Sequence, residues 1–315
     1  MIFLLLLFLL FSSFTANASE HFSDHESYCL QKDEQACLDL LKKQSDAVPI
    51  YSKAWFKLIS YKLDYYYDKR EFKKLEQTIT PLFSIESMPD VFELQLNYYY
   101  SKTLAYFGKR EEAKHYAQLA ISKLEKIYHI FEDPMRMVEI ANLEYVFGDR
   151  QKAYQLLLLA ENKFGKRGDP VFHLELHTNK GHIFFIWQNY ERAAKFYKLA
   201  LDWIKDTEHD AKKVVAYSNI ARTYQLMNKH ELALEHFKRT EELLLAQNNP
   251  RLLAVILIRT AEVYEQLNDL DKLTHLMPRI NFGDLSHGYH ETYKRLAKLI
   301  ASNSNSPKLS SSQLN

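Results

Sequence analysis

Gly108-Lys-Arg-Glu-Glu-Ala113 returns 40 residues later as Gly148-Asp-Arg-Gln-Lys-Ala153, and again as Gln188-Asn-Tyr-Glu-Arg-Ala193 and Asn228-Lys-His-Glu-Leu-Ala233. It fades to Asn268-Asp-Leu-Asp-Lys-Leu273 at the same step. Two more series keep the interval: Ser101, Ala141, Gly181, Ala221 and Ala261 upstream, and Ala120, Ala160, Ala200, Thr240 and Ile280 downstream. Three in-phase series of mostly small residues describe one unit stacked on copies of itself. Small side chains let backbones approach where helices cross. Larger neighbours fill the remaining space: Phe184, Tyr224 and Tyr264 before the turn, and Leu157, Tyr197, Phe237 and Met277 after it.

The unit is helical. Seven glycines and eight prolines are too few for a chain of many β-turns, and all eight prolines fall where a helix could end. Between them lie stretches rich in Leu, Ala, Lys, Glu and Tyr, apolar at three- and four-residue spacing. Gly108 and Gly148, or Asn at the equivalent places, suit a tight turn between two helices. A lone hairpin cannot bury both faces, so the sequence predicts an all-α solenoid of stacked antiparallel hairpins.

A small residue in the middle of the first helix, a Gly-Asp-x-x-x-Ala-like turn, and a second small residue seven beyond that Ala resemble the tetratricopeptide repeat. The resemblance is clear from Leu94 to Gln247 and weaker to Ile280. An earlier hairpin, Ser52 to Thr80, has its turn Asp68-Lys-Arg-Glu71 in phase with Gly108-Lys-Arg-Glu111, but Tyr61 and Lys73 stand where small residues belong. The step exceeds the family's usual length of about 34 residues, so longer helices are expected. Such long repeats resemble those of some bacterial regulators and exported sensor domains. The resemblance implies a right-handed superhelix whose concave face binds a protein or peptide and catalyses nothing.

The ends carry other signals. Met1 to Phe11 are all apolar, and Ala16-Asn17-Ala18 has the form that signal peptidase cuts after. That run is short of the about 20 residues a membrane-spanning helix needs. Residues 1–18 are therefore expected to be a cleaved signal, giving a periplasmic or secreted protein with no further membrane insertion. Cys29 and Cys37 are the only cysteines, and in an oxidising compartment they are expected to pair. An unbroken helix would hold them about 12 Å apart, beyond the ~7 Å a disulfide tolerates, so the chain must turn between them. Asp33 can cap a new helix from Glu34, making 19–51 a stapled hairpin ahead of the array at 52–283. Residues 284–302 read as a capping helix, and 303–315 as a disordered tail.

With 41 basic and 40 acidic side chains, no net field draws nucleic acid or an anionic membrane. The triplets Tyr65-Tyr66-Tyr67 and Tyr98-Tyr99-Tyr100 form no stacking platform on a helix and read as core aromatics with a wetted hydroxyl. No GxSxG, phosphate-cradling glycine loop or HExxH occurs, and no cofactor is implied.

The family register places Lys102, Asn142, His182, Arg222 and Glu262 on the concave face. Beside them it places Tyr106, Tyr145, Phe185, Gln225 and Glu265, with Tyr98, Thr178 and Ser218 earlier in the helices. An extended peptide with an acidic group, held by Lys102 and Arg222, is the expected ligand. The lysine-and-asparagine clamp that some members use for chaperone tails is not matched. His173, His177 and His182 give the competing reading, a sensor of a metal or small molecule acting through a partner. A packing role for this trio, and for His287 and His290, stands beside it.

Overall fold

The computed structural model describes Cys29 and residues 34–304. Fourteen α-helices run among the described residues: α1 (Glu34–Asp46), α2 (Lys53–Asp68), α3 (Phe72–Ile79), α4 (Asp90–Tyr106), α5 (Arg110–Phe131), α6 (Pro134–Phe147) and α7 (Arg150–Phe164). They continue as α8 (Pro170–Ile186), α9 (Tyr190–Ile204), α10 (Asp210–Leu226), α11 (His230–Ala246), α12 (Pro250–Gln266), α13 (Leu270–Leu276) and α14 (His290–Ser304). Six hairpins, α2/α3 to α12/α13, stack in order. First helices touch first helices across hairpins (α2 on α4, α6 on α8, α10 on α12), whereas no comparable packing joins second helices among the described residues. First helices therefore line the concave side.

Local chemistry sets the boundaries. Pro134, Pro170 and Pro250 open α6, α8 and α12 rather than end the helices before them. The first turn of a helix has no use for the missing N–H. Asp133, Asp169 and Asn249 cap these starts, accepting the N–H groups of Met135, of Val171 and Phe172, and of Leu252.

Between the helices, the N–H groups of Lys109, Asn189, Lys229 and Asp269 donate to the carbonyls of Leu104, Phe184, Tyr224 and Tyr264. That bond requires a left-handed residue just before the donor: Gly108, Gln188, Asn228 and Asn268, with φ of 79°, 58°, 56° and 54°. Gly148 departs, at φ −124°. There the Glu144 carboxylate accepts the Asp149 N–H instead.

The small-residue series are buried at every hairpin crossing, Ser101, Ala141, Ala221 and Ala261 fully so. At Gly181 a Cβ would sit 2.5 Å from the Tyr197 ring.

The first hairpin is stepped differently from the sequence expectation. Its left-handed residue is Arg70, not Asp68, and the equivalent turn bond runs from Glu71 N–H to the Tyr66 carbonyl. The first step is therefore 38 residues, against 40 elsewhere. In that register Leu63 and Leu75 take the small-residue places, both fully buried, while Lys73 is exposed.

At the N-terminal end, Cys29 and Cys37 form a disulfide, Cα atoms 4.9 Å apart, buried beside Leu41 and Phe56. α1 begins at Glu34; Asp33, the expected signal at 1–18 and residues 305–315 of the expected tail lie outside the described residues. At the other end the capping helix starts at His290, not Asp284, after 3-10 turns at Phe282–Asp284 and His287–Tyr289, and continues through Ser304. It packs on α12 and α13, with Leu296 fully buried. No described helix is long and apolar enough to cross a membrane.

Candidate functional site

The superhelix meets itself after five hairpins. Arg251, at the start of α12, places a guanidinium nitrogen 2.6 Å from the carboxylate of Glu71, in the first hairpin's turn. Beside it, Lys69 Nζ lies 3.5 Å from the backbone carbonyl of Gln247, 178 residues away. A cavity of about 570 Å³ lies on the concave side. Its polar walls come from five first helices, Tyr67 and Asp68 of α2, Gln95, Tyr98 and Tyr99 of α4, Arg136, Glu139 and Asn142 of α6, Glu175 and Asn179 of α8, and Lys212 of α10, with Leu124 of α5 behind them.

Polar groups here are bonded to one another from helix to helix. Asn142 stands at the centre. Its Oδ1 accepts from Lys102 Nζ at 2.5 Å and, more weakly, from the Tyr98 hydroxyl at 3.4 Å. Its amide nitrogen donates to Asn179 Oδ1 at 2.6 Å. The Tyr99 hydroxyl donates to Asp64 at 2.5 Å, where Gln95 also donates. Glu139 pairs with Arg136 at 2.7 Å and Glu175 with Lys212 at 3.0 Å.

Burial shapes the charges. Desolvation lowers Lys102 to about 7, since its nearest acceptor is a neutral amide and its ammonium faces the Tyr98 and Phe147 rings. Burial likewise pushes Tyr67 up to about 12 and raises Tyr98 and Tyr99, keeping all three hydroxyls neutral donors. Glu139 is raised by burial, against the pull of Arg136. The cavity thus offers aromatic faces, amides and balanced ion pairs.

Of the residues chosen from the sequence, Tyr98, Lys102 and Asn142 come together in one cluster. Tyr145 and His182 form a second group along the groove, rings stacked 5.8 Å apart, with His182 Nδ1 2.8 Å from the Tyr197 hydroxyl. Burial first, then the Lys102 charge, lower His182 to about 4, so its ring is neutral.

Arg222 already has partners within the chain: it hydrogen-bonds Gln225 at 2.7 Å and pairs with Glu262 at 3.4 Å. The acidic end is answered in the same way, Glu265 by Arg295 of α14. The remaining residues stay apart from the cavity. Tyr106 is 51% exposed at the turn edge and stacks on Phe72. Phe185 packs on Tyr190, Thr178 is buried, and Ser218 is half-buried.

His173 and His177 face α9 rather than the cavity. His173 stacks on Trp203, ring centres 3.8 Å apart, and its Nε2 lies 2.7 Å from the Arg167 carbonyl. No group of three or more metal-ligating side chains gathers among the described residues.

Residues the sequence reading missed include Tyr67, Tyr99, Glu139, Glu175, Asn179 and Lys212. One signal existed: Tyr99, Glu139, Asn179 and Asn219 repeat every 40 residues, two before the small residue. Tyr65 and Tyr66 are buried in the first core cluster, and Tyr67 and Tyr99 pack against it as the triplet reading expects, while also lining the cavity beside Tyr98.

The tetratricopeptide repeat family model matches residues 173–246, which span α8 to α11. No curated protein sequence matches the chain. Among solved structures, a Rap protein complexed with Competence and Sporulation Factor is similar at 12% identity and a TM-score of 0.59, over 85% of this chain and 73% of that one. NprR in complex with its cognate peptide NprX is similar at 14% identity and a TM-score of 0.54, over 90% and 84%. The Cut9–Hcn1 hetero-tetramer of APC/C gives 13% and 0.56, over 87% and 47%. At such identities these likenesses speak for the fold alone. The fold and the matched repeats together define an α-solenoid of tetratricopeptide-like helical hairpins.

Proposed function

We propose that this chain is a non-catalytic scaffold that works outside the cytoplasm and holds an extended peptide, or a segment of a partner protein, in its concave groove. The observation that carries the reading is the cavity at the centre of the first-helix face, with Asn142 linking α4, α6 and α8. Amides and neutral tyrosine hydroxyls suit the alternating donors and acceptors of a peptide backbone. Two of the similar folds are described in complex with a cognate peptide or with Competence and Sporulation Factor, which supports the same reading here. The apolar N-terminal segment and the Cys29–Cys37 disulfide support an oxidising compartment.

The test is a cross-linking pull-down from the native extracytoplasmic fraction with the protein lacking residues 1–18. A Lys102→Met, Asn142→Leu twin runs beside it, after circular dichroism shows that both fold. Replacing both members of a hydrogen bond by apolar groups leaves few orphaned partners. A partner captured by the parent and lost by the twin is the expected result; equal capture removes the groove from the proposal.

A small-ligand sensor is the second reading, favoured by the cavity's size, which falls in the roughly 300–1,000 Å³ range of small-molecule sites. Such a ligand would raise the melting temperature at saturating concentration in the absence of any protein partner.

A further inference from the structure

The junction between Glu71 and Arg251 is unlike the other contacts in the molecule. Neighbouring hairpins are joined by packed helices, but α2 and α3 form no packed helix pair with α11 or α12. Side chains of Glu71, Arg251 and Lys69 span the gap. Glu71 is held rigidly for this, because its N–H donates to Tyr66 and its carbonyl accepts from Leu75. Arg70, just before it, takes the left-handed conformation at φ 55°, at a place where other hairpins use Gly, Gln or Asn. Only 13% of the Glu71 side chain is exposed, and it meets Arg251 at 2.6 Å and Lys74 at 3.9 Å. The backbone of Arg251 is fixed too, one residue after Pro250 in a start capped by Asn249.

The cavity lies within this loop of structure. Tyr67 and Asp68 line it one turn before Glu71, and Lys212 lines it from the fifth hairpin. A chain lying there is encircled, and a lateral exit requires the ends to part.

We propose that the Glu71–Arg251 ion pair, with the Lys69–Gln247 hydrogen bond beside it, is a clasp that closes the groove around an extended partner and must open to admit it. The proposal rests on the groove reading above, and adds how capture is controlled: by an ionic contact that salt weakens, set against helix packing that salt leaves intact.

Two measurements test it. Spin labels on Lys73→Cys and Ala246→Cys, both exposed positions flanking the junction, report its width by pulsed electron paramagnetic resonance. The parent gives one short distance. Glu71→Ala with Arg251→Ala lengthens and broadens it, 1 M salt does the same to the parent, and the reversed pair Glu71→Arg with Arg251→Glu restores it. The same short distance in every sample overturns the clasp, whatever the groove binds.

The second measurement uses the partner captured above. A Glu71→Cys, Arg251→Cys protein bridged by a bis-maleimide should lose at least tenfold in association rate against the same protein with both thiols singly capped. An unchanged rate means entry elsewhere and overturns the gate. Should the parent capture nothing, the groove reading fails while the label distances still decide the clasp.

Discussion

Lys102 shows what a single buried cation does to the whole chain's titration. Its native pKa is about 7, against ~10.4 for an unfolded lysine. Between those values the unfolded chain binds a proton that the native chain has released, so stability rises as pH rises through that window. Lys102→Met should flatten the dependence, read as urea midpoints for parent and variant at pH 7, 8, 9 and 10. A partner's carboxylate placed beside Lys102 would restore its proton, and calorimetry at pH 8 in buffers of different ionisation enthalpy should then register proton uptake.

Gly181 is the sterically strictest position of its series, with the Tyr197 ring where a methyl would go. Gly181→Ala should cost about 1–3 kcal/mol of overpacking, measured by urea denaturation. Lys102, Asn142 and Tyr98 were legible in the sequence because the repeat register alone puts them on the inner face. Lys212 was not, because its place in the cavity depends on how five hairpins curve, which no local pattern encodes. The pairing of Arg222 with Glu262 has no local signal either, since the two belong to successive hairpins.

At the scale of the helix, turns were the most readable parts, since one left-handed residue and one backbone bond recur on the 40-residue step at Gly108, Gln188, Asn228 and Asn268, with Gly148 the exception. The first hairpin escaped that reading because Arg70 does a glycine's work and leucines replace the small residues, leaving no compositional mark of its 38-residue step. The terminal helix α14 covers apolar surface of the sixth hairpin, where Leu257, Leu273 and Leu296 lie in one buried cluster. Leu296→Ala should destabilise the C-terminal end by roughly 2–5 kcal/mol. Ending the chain after Ser286 should do more, exposing that cluster and driving the protein to associate, seen by light scattering.

For the whole molecule, the disulfide at one end and α14 at the other bound the stack. Reducing Cys29–Cys37 with dithiothreitol should release α1, raising amide exchange across 34–46 while leaving the cavity helices protected. Loss of protection through α4 and α6 would show instead that the N-terminal element supports the groove.

The meeting of Glu71 with Arg251 has a consequence for cooperativity. Open repeat arrays behave as one-dimensional chains, fraying independently from two free ends. Here the two ends are neighbours, so loosening of the first hairpin is felt by the sixth without passing through the four between them. A line of units has become a cycle, and its weakest joint decides whether the termini unravel separately or together.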